Sequence, residues 1–197
     1  MTMKTGFRII PAVLACTLST MPAIAVESHI ELMTKFAEQT ARAWIYDREI
    51  IEAIKAQNAR NANIGQAEID ALDKQWRAES KSTDRPLIDR VLSTDLSKKL
   101  LRVKNEAHGM ITELFVMDNK GLNVGQSDVT SDYWQGDEAK WQKTYLVGPR
   151  AMFIDEIELD ESTQTFQSQL SLSISDPDTG QVIGAVTVGV DVDQLLR

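Results

Sequence analysis

The pattern of hydrophobic and polar residues changes its period near the middle of the chain. From Ser28 to about Gln57, apolar residues recur at steps of three and four, which predicts one long amphipathic helix. The turn-forming stretch Asn58–Gly65 ends it, and the same spacing predicts a second helix from Gln66 to about Glu79. A capping residue and a proline at Thr83–Pro86 predict the start of a third helix, which continues to about Ala107.

Beyond Gly109 the period falls to two, which is the spacing of β-strands. Five strands are predicted, over Ile111–Met117, Leu122–Gln126, Met152–Leu159, Thr165–Ser175 and Gln181–Val192. Asp118–Gly121 supplies a hairpin turn, Asp176–Gly180 turns between the last two strands, and a loop with a short helix is predicted from Asp128 to about Tyr145. Helices followed by strands predict an α+β fold with an antiparallel sheet.

The last two predicted strands have one apolar face and one face of small or polar residues. The second face carries Gln167, Gln169, Ser171, Ser173 and Ser175 on one strand and Ile183, Ala185, Thr187 and Gly189 on the next. Small residues leave room for another group to approach. Two interpretations follow: a helix packs closely on this face, or the face is the floor of a ligand cavity with hydroxyl and amide groups.

The first 25 residues have the pattern of an export signal. Lys4 and Arg8 precede an apolar run from Ile9 to Leu18, and Ala23–Ala25 matches a signal-peptidase site. The sequence therefore predicts a signal peptide over residues 1–25 and a periplasmic protein.

Cys16 offers an alternative, because Val13–Cys16 loosely resembles a lipobox and lipidation would make the protein a lipoprotein anchored at Cys16. It is the only cysteine of the 197 residues, so cleavage after Ala25 leaves no thiol and no disulfide.

Charge and composition exclude several classes of function. The 25 leading residues hold two of the 21 basic and none of the 29 acidic residues, which leaves 19 against 29 and a formal charge of −10. Phosphate backbones need clustered Lys and Arg, so nucleic acid is not an expected partner.

No nucleophile elbow, zinc-binding helix, phosphate loop or dinucleotide fingerprint is present. His29 and His108 are the only histidines, and each lies near the end of a predicted helix. The turns at Asp118 and Asp176 lack the oxygen ligands of a calcium loop. We expect no enzymatic activity, no cofactor and no metal site.

Three segments and their order carry a family resemblance. A strand ends in Val116–Gly121, the stretch Thr130–Glu138 follows, and the terminal strand is Val182–Val192, all after a long N-terminal helix. In this order the chain resembles the Cache family of extracellular, PAS-like sensor domains, over about residues 28–196. The resemblance implies a long N-terminal helix packed on a five-stranded antiparallel sheet, with residues 26–110 forming its helical part and 111–197 its sheet and ligand-site part.

The resemblance also implies where a small solute, typically a carboxylate or amino acid, binds: on the second sheet face, beneath the crossover between the second and third strands. That crossover supplies the implied ligand-binding residues Tyr133, Trp134, Trp141, Tyr145 and Arg150. Aromatic rings suit cavity walls, and an arginine suits a carboxylate. Core packing remains an alternative for Trp141 and Tyr145, which are four residues apart, and a surface ion pair remains one for Arg150.

The function expected from these observations is a freestanding periplasmic sensor that binds a small molecule and signals through a separate membrane-bound partner. The expectation of a separate partner comes from the last strand, which in Cache receptors feeds a membrane span and here ends near Arg197. The alternative is an interaction module whose cavity is filled by its own side chains. The long helix is also a candidate dimer contact, since relatives often pair through it.

Overall fold

A computed structural model describes residues 21–160 and 165–195. Cys16 and most of the predicted signal peptide lie outside these residues. None of the helices within the described ranges is long and apolar enough to cross a bilayer.

The predicted first helix is divided into two α-helices. Helix α1 spans Met21–Gln39, a 3-10 helix spans Ala41–Tyr46, and helix α2 spans Arg48–Arg60. The break occurs because Asp47 is extended and caps α2, with its Oδ1 accepting hydrogen bonds from the backbone N–H groups of Glu49 and Ile50 at 3.0 and 3.3 Å. The apolar spacing continues across this break, so periodicity alone predicted one helix.

The predicted third helix is also divided. Helix α3 spans Gln66–Glu79, α4 spans Pro86–Leu92 and α5 spans Asp95–Glu106. Thr94 caps α5 through its Oγ1, which accepts from Ser97 N–H at 3.1 Å. At the other end of α4, Glu79 Oε2 accepts from the backbone N–H groups of Leu87 and Ile88 at 2.8 and 3.0 Å.

The strands form one antiparallel sheet, as the sequence predicted. Their bounds are β1 Ile111–Met117, β2 Asn123–Gln126, β3 Met152–Ile154, β4 Glu158–Asp160, β5 Thr165–Ser175 and β6 Val182–Asp191. The strand order β2-β1-β6-β5-β3 contains five strands, the number that the sequence predicted. Strand β4 pairs with the part of β5 that extends beyond β3. The predicted strand Met152–Leu159 is therefore two short strands. Helix α6, Ala139–Gln142, lies in the crossover between β2 and β3, and α7, Val192–Leu195, follows β6.

The main core lies between the apolar sheet face and the helices. Strands β1, β6 and β5 contribute Leu114, Val188 and Leu170 to this core, among other residues. These side chains pack with residues of α1, the 3-10 helix, α2 and α5. Burial of this face is the main stabilising contribution to the domain. Helices α3 and α4 form a separate apolar cluster around Trp76, which is fully buried. The second sheet face is left for the crossover to cover.

Candidate functional site

The second sheet face has a polar centre. Cross-strand pairing places Phe115, Thr187, Ser171 and Phe153 in one row across β1, β6, β5 and β3. The hydroxyls of Ser171 and Thr187 hydrogen-bond to each other at 2.9 Å, and both residues are fully buried. In the neighbouring row, Ser173 is buried and its hydroxyl has no hydrogen-bond partner among the described residues. The centre of this face is therefore built from hydroxyls and small side chains, as the alternation of β5 and β6 predicted.

Trp141 and Tyr145 cover part of this face. Their rings stack at 4.7 Å between centroids, and Trp141 packs on Phe115, Met117 and Ala185. The indole N–H of Trp141 donates to the backbone carbonyl of Asp118 at 3.1 Å. These contacts fix residues 139–145, which include the four-residue helix α6, over the sheet. We call this segment the roof. The contacts agree with close packing on the small-residue face at this position.

Two lysines of the roof extend over the phenylalanine side chains of the sheet. Lys140 Nζ lies 5.6 Å from the ring centroid of Phe115, and Lys143 Nζ lies 4.2 Å from that of Phe153. Lys140 also forms an ion pair with Glu138 at 2.7 Å, and its side chain is only 13% exposed. The cation nearest to the sheet on the β1 side is therefore already neutralised.

A hollow of about 290 Å³ opens beside the roof, over the start of β5 and the segment that joins β3 to β4. We call it the acidic hollow, and it is lined by Glu138, Ala139, Lys140, Asp155, Glu156, Glu158, Gln167 and Gln169. Four carboxylates face one lysine that is paired with one of them. The potential in the hollow is therefore negative and favours a cationic group.

Two glutamine amides form the floor of the acidic hollow. Gln169 donates its amide N–H to Glu113 at 2.7 Å, and Gln167 accepts from the Thr112 hydroxyl at 2.6 Å. Gly189 pairs with Gln169, and a Cβ there would collide with Thr112 and Glu113. Only glycine at this position lets those two side chains cross β6 and orient the amides.

Tyr133 and Trp134 lie elsewhere, at the start of the crossover. Tyr133 stacks on Trp76 of α3 with 5.3 Å between centroids. Asp73 Oδ1 accepts from the backbone N–H groups of Tyr133 and Trp134 at 2.9 and 3.1 Å, and the Trp134 indole donates to Lys120 O at 2.7 Å. The two aromatics thus anchor the crossover to α3 and to the β1–β2 turn.

Tyr133 also lines a second cavity, of about 500 Å³, between the helices and β2. We call it the arginine cavity, and it is lined by Gln57, Arg60, Asn61, Leu72, Arg90, Val91, Thr94, Val124 and Tyr133. Burial, with a smaller contribution from the negative charge of Asp118, raises the pKa of Tyr133 to about 12.

Arg150 lies in neither cavity. It is exposed and has a left-handed backbone conformation, with φ of 66°. A hydrogen bond from Arg42 is the main cause of the lowered pKa of Glu38 on α1, and the charge of Arg150 adds a small contribution. The five predicted site residues are thus separated into an anchor pair, a roof pair and one exposed arginine.

Several lining residues of the two cavities were not singled out from the sequence. Glu156 and Glu158 lie beyond β3, and Arg60 and Arg90 lie on separate helices. No local spacing links these positions to each other or to the crossover. The alternating glutamines of β5 were the one available signal.

The architecture follows the order long helical segment, connecting helices, hairpin, crossover and terminal β-strands, with sheet order β2-β1-β6-β5-β3. A helical part followed by an antiparallel sheet is the arrangement that the sequence resemblance implied for this chain. No family model matches it, and no curated protein matches it.

Solved structures similar to the chain include the sensor domain of the V. cholerae histidine kinase DctB, with 14% identity, a TM-score of 0.41 and coverage of 89% of this chain and 60% of that one. The sensor domain of E. coli DcuS has 17% identity, a TM-score of 0.37 and coverage of 64% and 93%. The ligand-binding domain of the Pseudomonas aeruginosa amino acid chemoreceptor PctC, solved with GABA, has 12% identity, a TM-score of 0.41 and coverage of 74% and 58%.

The chain thus spans about 60% of the DctB and PctC domains. Within residues 21–160 and 165–195, no cluster of His, Cys, Asp and Glu side chains is suited to a metal ion.

Proposed function

We propose that this chain is a Cache-type sensor domain that binds a small, amine-bearing solute in the acidic hollow. The observation that carries the proposal is the hollow itself, which has a floor of two oriented glutamine amides, a roof held by Trp141 and an excess of carboxylates. A concave site with a few convergent polar groups is the usual form of a small-molecule site.

The lining defines the chemistry of the solute. Gln169 uses an amide N–H for Glu113, and Gln167 uses its carbonyl oxygen for Thr112. Among the described residues, the Gln169 carbonyl oxygen and the Gln167 N–H groups are therefore left for a ligand. Glu156 and Glu158 are exposed carboxylates at the rim. A protonated amine placed among them gains charge-assisted hydrogen bonds, and a polar group on the same solute bonds the amides.

A solute that carries only carboxylates fits this hollow poorly. Its charge would meet four carboxylates, and the one lysine is held by Glu138 at 2.7 Å. The proposal therefore keeps the small solute expected from the Cache resemblance and replaces the expected carboxylate by an amine as the group recognised here.

The predicted aromatic residues act in this proposal as positioning groups. Trp141 and Tyr145 hold the roof, whereas Tyr133 and Trp134 fix the start of the crossover on α3. Arg150 is exposed and takes no part in the acidic hollow. We further propose that the protein acts outside the inner membrane and that solute binding is transmitted to a membrane-bound partner.

Calorimetric titration of the purified protein with matched amines, amino acids and dicarboxylates tests this function. We expect at least one amine to bind and Glu158→Gln to weaken its binding about tenfold, the loss of one charge-assisted contact. Glu106→Gln is the matched control, because Glu106 is exposed at the end of α5 and outside the hollow. Absence of amine binding, or equal affinity in the Glu158→Gln protein, contradicts the proposal.

A second candidate function is an interaction module that binds no solute. The Trp141–Tyr145 stack favours it, because these rings fill the part of the second face over Met117 and Ala185. Such a module would show no saturable binding of any solute in the same titrations, and would bind its membrane partner equally well after Glu158→Gln.

A further inference from the structure

The arginine cavity lies on the opposite side of the molecule's sheet from the roof, among α2, α3, α4 and β2. Its volume of about 500 Å³ is within the range of small-molecule sites. Leu72, Val91 and Val124 form its apolar wall. Its polar groups come from α2, α4 and the crossover, so that elements distant in sequence meet here.

The amide side chains of this cavity are already engaged. Gln57 Nε2 donates to Asp118 Oδ2 at 3.1 Å and to Asn123 O at 3.2 Å, and Asn61 Nδ2 donates to the same Asp118 oxygen at 3.1 Å. The other Asp118 oxygen accepts from two backbone N–H groups of the β1–β2 turn. These groups build the wall and are not available to a ligand.

The donors that remain are two guanidinium groups and one phenol. Arg60 and Arg90 form no ion pair with any residue in the two described ranges, and Arg60 makes only a 3.4 Å hydrogen bond to Gln57. Tyr133 is 5% exposed, and its hydroxyl forms no hydrogen bond with any residue in the two described ranges. With its pKa raised to about 12 by burial, the phenol is neutral and can donate.

Helix dipoles give a simpler account of the two arginines. Arg60 lies in the last turn of α2 and Arg90 in the last turn of α4, where a positive charge stabilises a helix. This account explains the charge at each helix end. It does not require both side chains to line one cavity beside an unpaired phenol.

We propose that the arginine cavity binds an anionic solute with a carboxylate or phosphate group, held by Arg60 and Arg90 and by a hydrogen bond from Tyr133. Unpaired guanidinium groups bind both kinds of oxyanion through parallel N–H donors. The site is separate from the acidic hollow and shares no lining residue with it. It stands whether or not an amine binds there.

The test uses the full protein and two probes, succinate for the carboxylate class and inorganic phosphate for the phosphate class, titrated calorimetrically at low ionic strength. We expect saturable binding of at least one probe. Arg60→Gln and Arg90→Gln should each weaken it about tenfold or more, and Tyr133→Phe severalfold. Binding of succinate alone or of phosphate alone identifies the group that the site prefers.

Two controls separate a built site from general charge attraction. Arg48→Gln removes the same charge from the same helix at an exposed position outside the cavity, and should leave affinity within about twofold. Glu158→Gln alters the acidic hollow and should leave anion affinity unchanged. Binding of neither probe overturns the proposal. An equal loss of affinity in Arg48→Gln and Arg60→Gln also overturns it. The proposal is likewise overturned if the Arg60 and Arg90 variants change thermal stability but not anion affinity.

Discussion

Trp141 and Tyr145 stack with their ring centroids 4.7 Å apart and their planes inclined by 18°. They are four residues apart and lie over the second sheet face, in one apolar cluster with Phe115, Met117 and Ala185. A helix of four residues has no stability of its own, so α6 is held by these rings and by the indole bond to Asp118 O. The shape of the acidic hollow therefore depends on an aromatic pair that does not line it.

Replacing Trp141 should unfold the roof and lower the stability of the domain. Trp141→Ala removes the ring stack, its contacts with Phe115 and Met117 and one hydrogen bond, so we expect a loss of about 3–5 kcal/mol in the free energy of unfolding. Urea denaturation measures it. Tyr145→Phe keeps the ring and should cost less than about 0.5 kcal/mol. A stable Trp141→Ala protein would show that the roof is held by other contacts.

Asp118 joins the hairpin turn to α2. Its Oδ1 accepts from the backbone N–H groups of Lys120 and Leu122 at 2.8 and 2.9 Å, while Oδ2 accepts from the side chains of Gln57 and Asn61. Asp118→Asn replaces one acceptor by a donor that faces two other donors. We expect the free energy of unfolding to fall by about 2–3 kcal/mol, measured by chemical denaturation.

The control for the Asp118 substitution is Asp178→Asn. Asp178 is an exposed residue of the β5–β6 turn and should change stability by less than about 0.5 kcal/mol. Equal, small effects of the two substitutions would mean that the Asp118 carboxylate is dispensable for folding.

Glu79 makes the stability of α4 dependent on pH. Burial disfavours its charged form, but hydrogen bonds from Gln75 and from the N–H groups of Ile88 and Leu87 outweigh this effect and lower its pKa. A lowered pKa in the folded state gives stability that is present above the ordinary carboxyl pKa and is lost as the pH falls through the folded value. Glu79→Gln should therefore destabilise the protein at pH 7 by about 1 kcal/mol, and this difference should vanish in acid.

Urea denaturation of the parent and of Glu79→Gln from neutral to acidic pH measures this difference. Glu106→Gln changes an exposed position at the end of α5, and its free energy of unfolding should differ from that of the parent by the same amount at every pH. A difference between the parent and Glu79→Gln that stays constant with pH would show that the charge of Glu79 is not involved.

Tyr133 should ionise only in strong alkali. Its pKa is raised to about 12, so the stability linked to its neutral form is present below the ordinary tyrosine pKa of about 10 and declines as the pH rises through 12. An ultraviolet titration of tyrosinate should show a late step that disappears in Tyr133→Phe and persists in Tyr46→Phe, whose side chain is largely exposed. If the late step is still present in Tyr133→Phe, the phenol of Tyr133 is exposed to water.

The strands and turns were predicted closely because their signals are local. The alternation over Thr165–Ser175 gave the bounds of β5, and the acid-and-glycine turns were found at Asp118 and Asp176. The helical half was predicted less well. A single aspartate, Asp47, and a single threonine, Thr94, divide helices whose apolar spacing is uninterrupted.

The sequence by itself determined the α+β class, the antiparallel sheet and the polar second face of β5, because strand alternation and turn chemistry act between neighbours along the chain. Only the tertiary structure decided that Trp141 covers this face, that Arg150 is exposed, and that Arg60 and Arg90 line one cavity with Tyr133. The physical reason is that these side chains come from separate elements, and their proximity is set by how helices pack on the sheet and not by any spacing in the sequence.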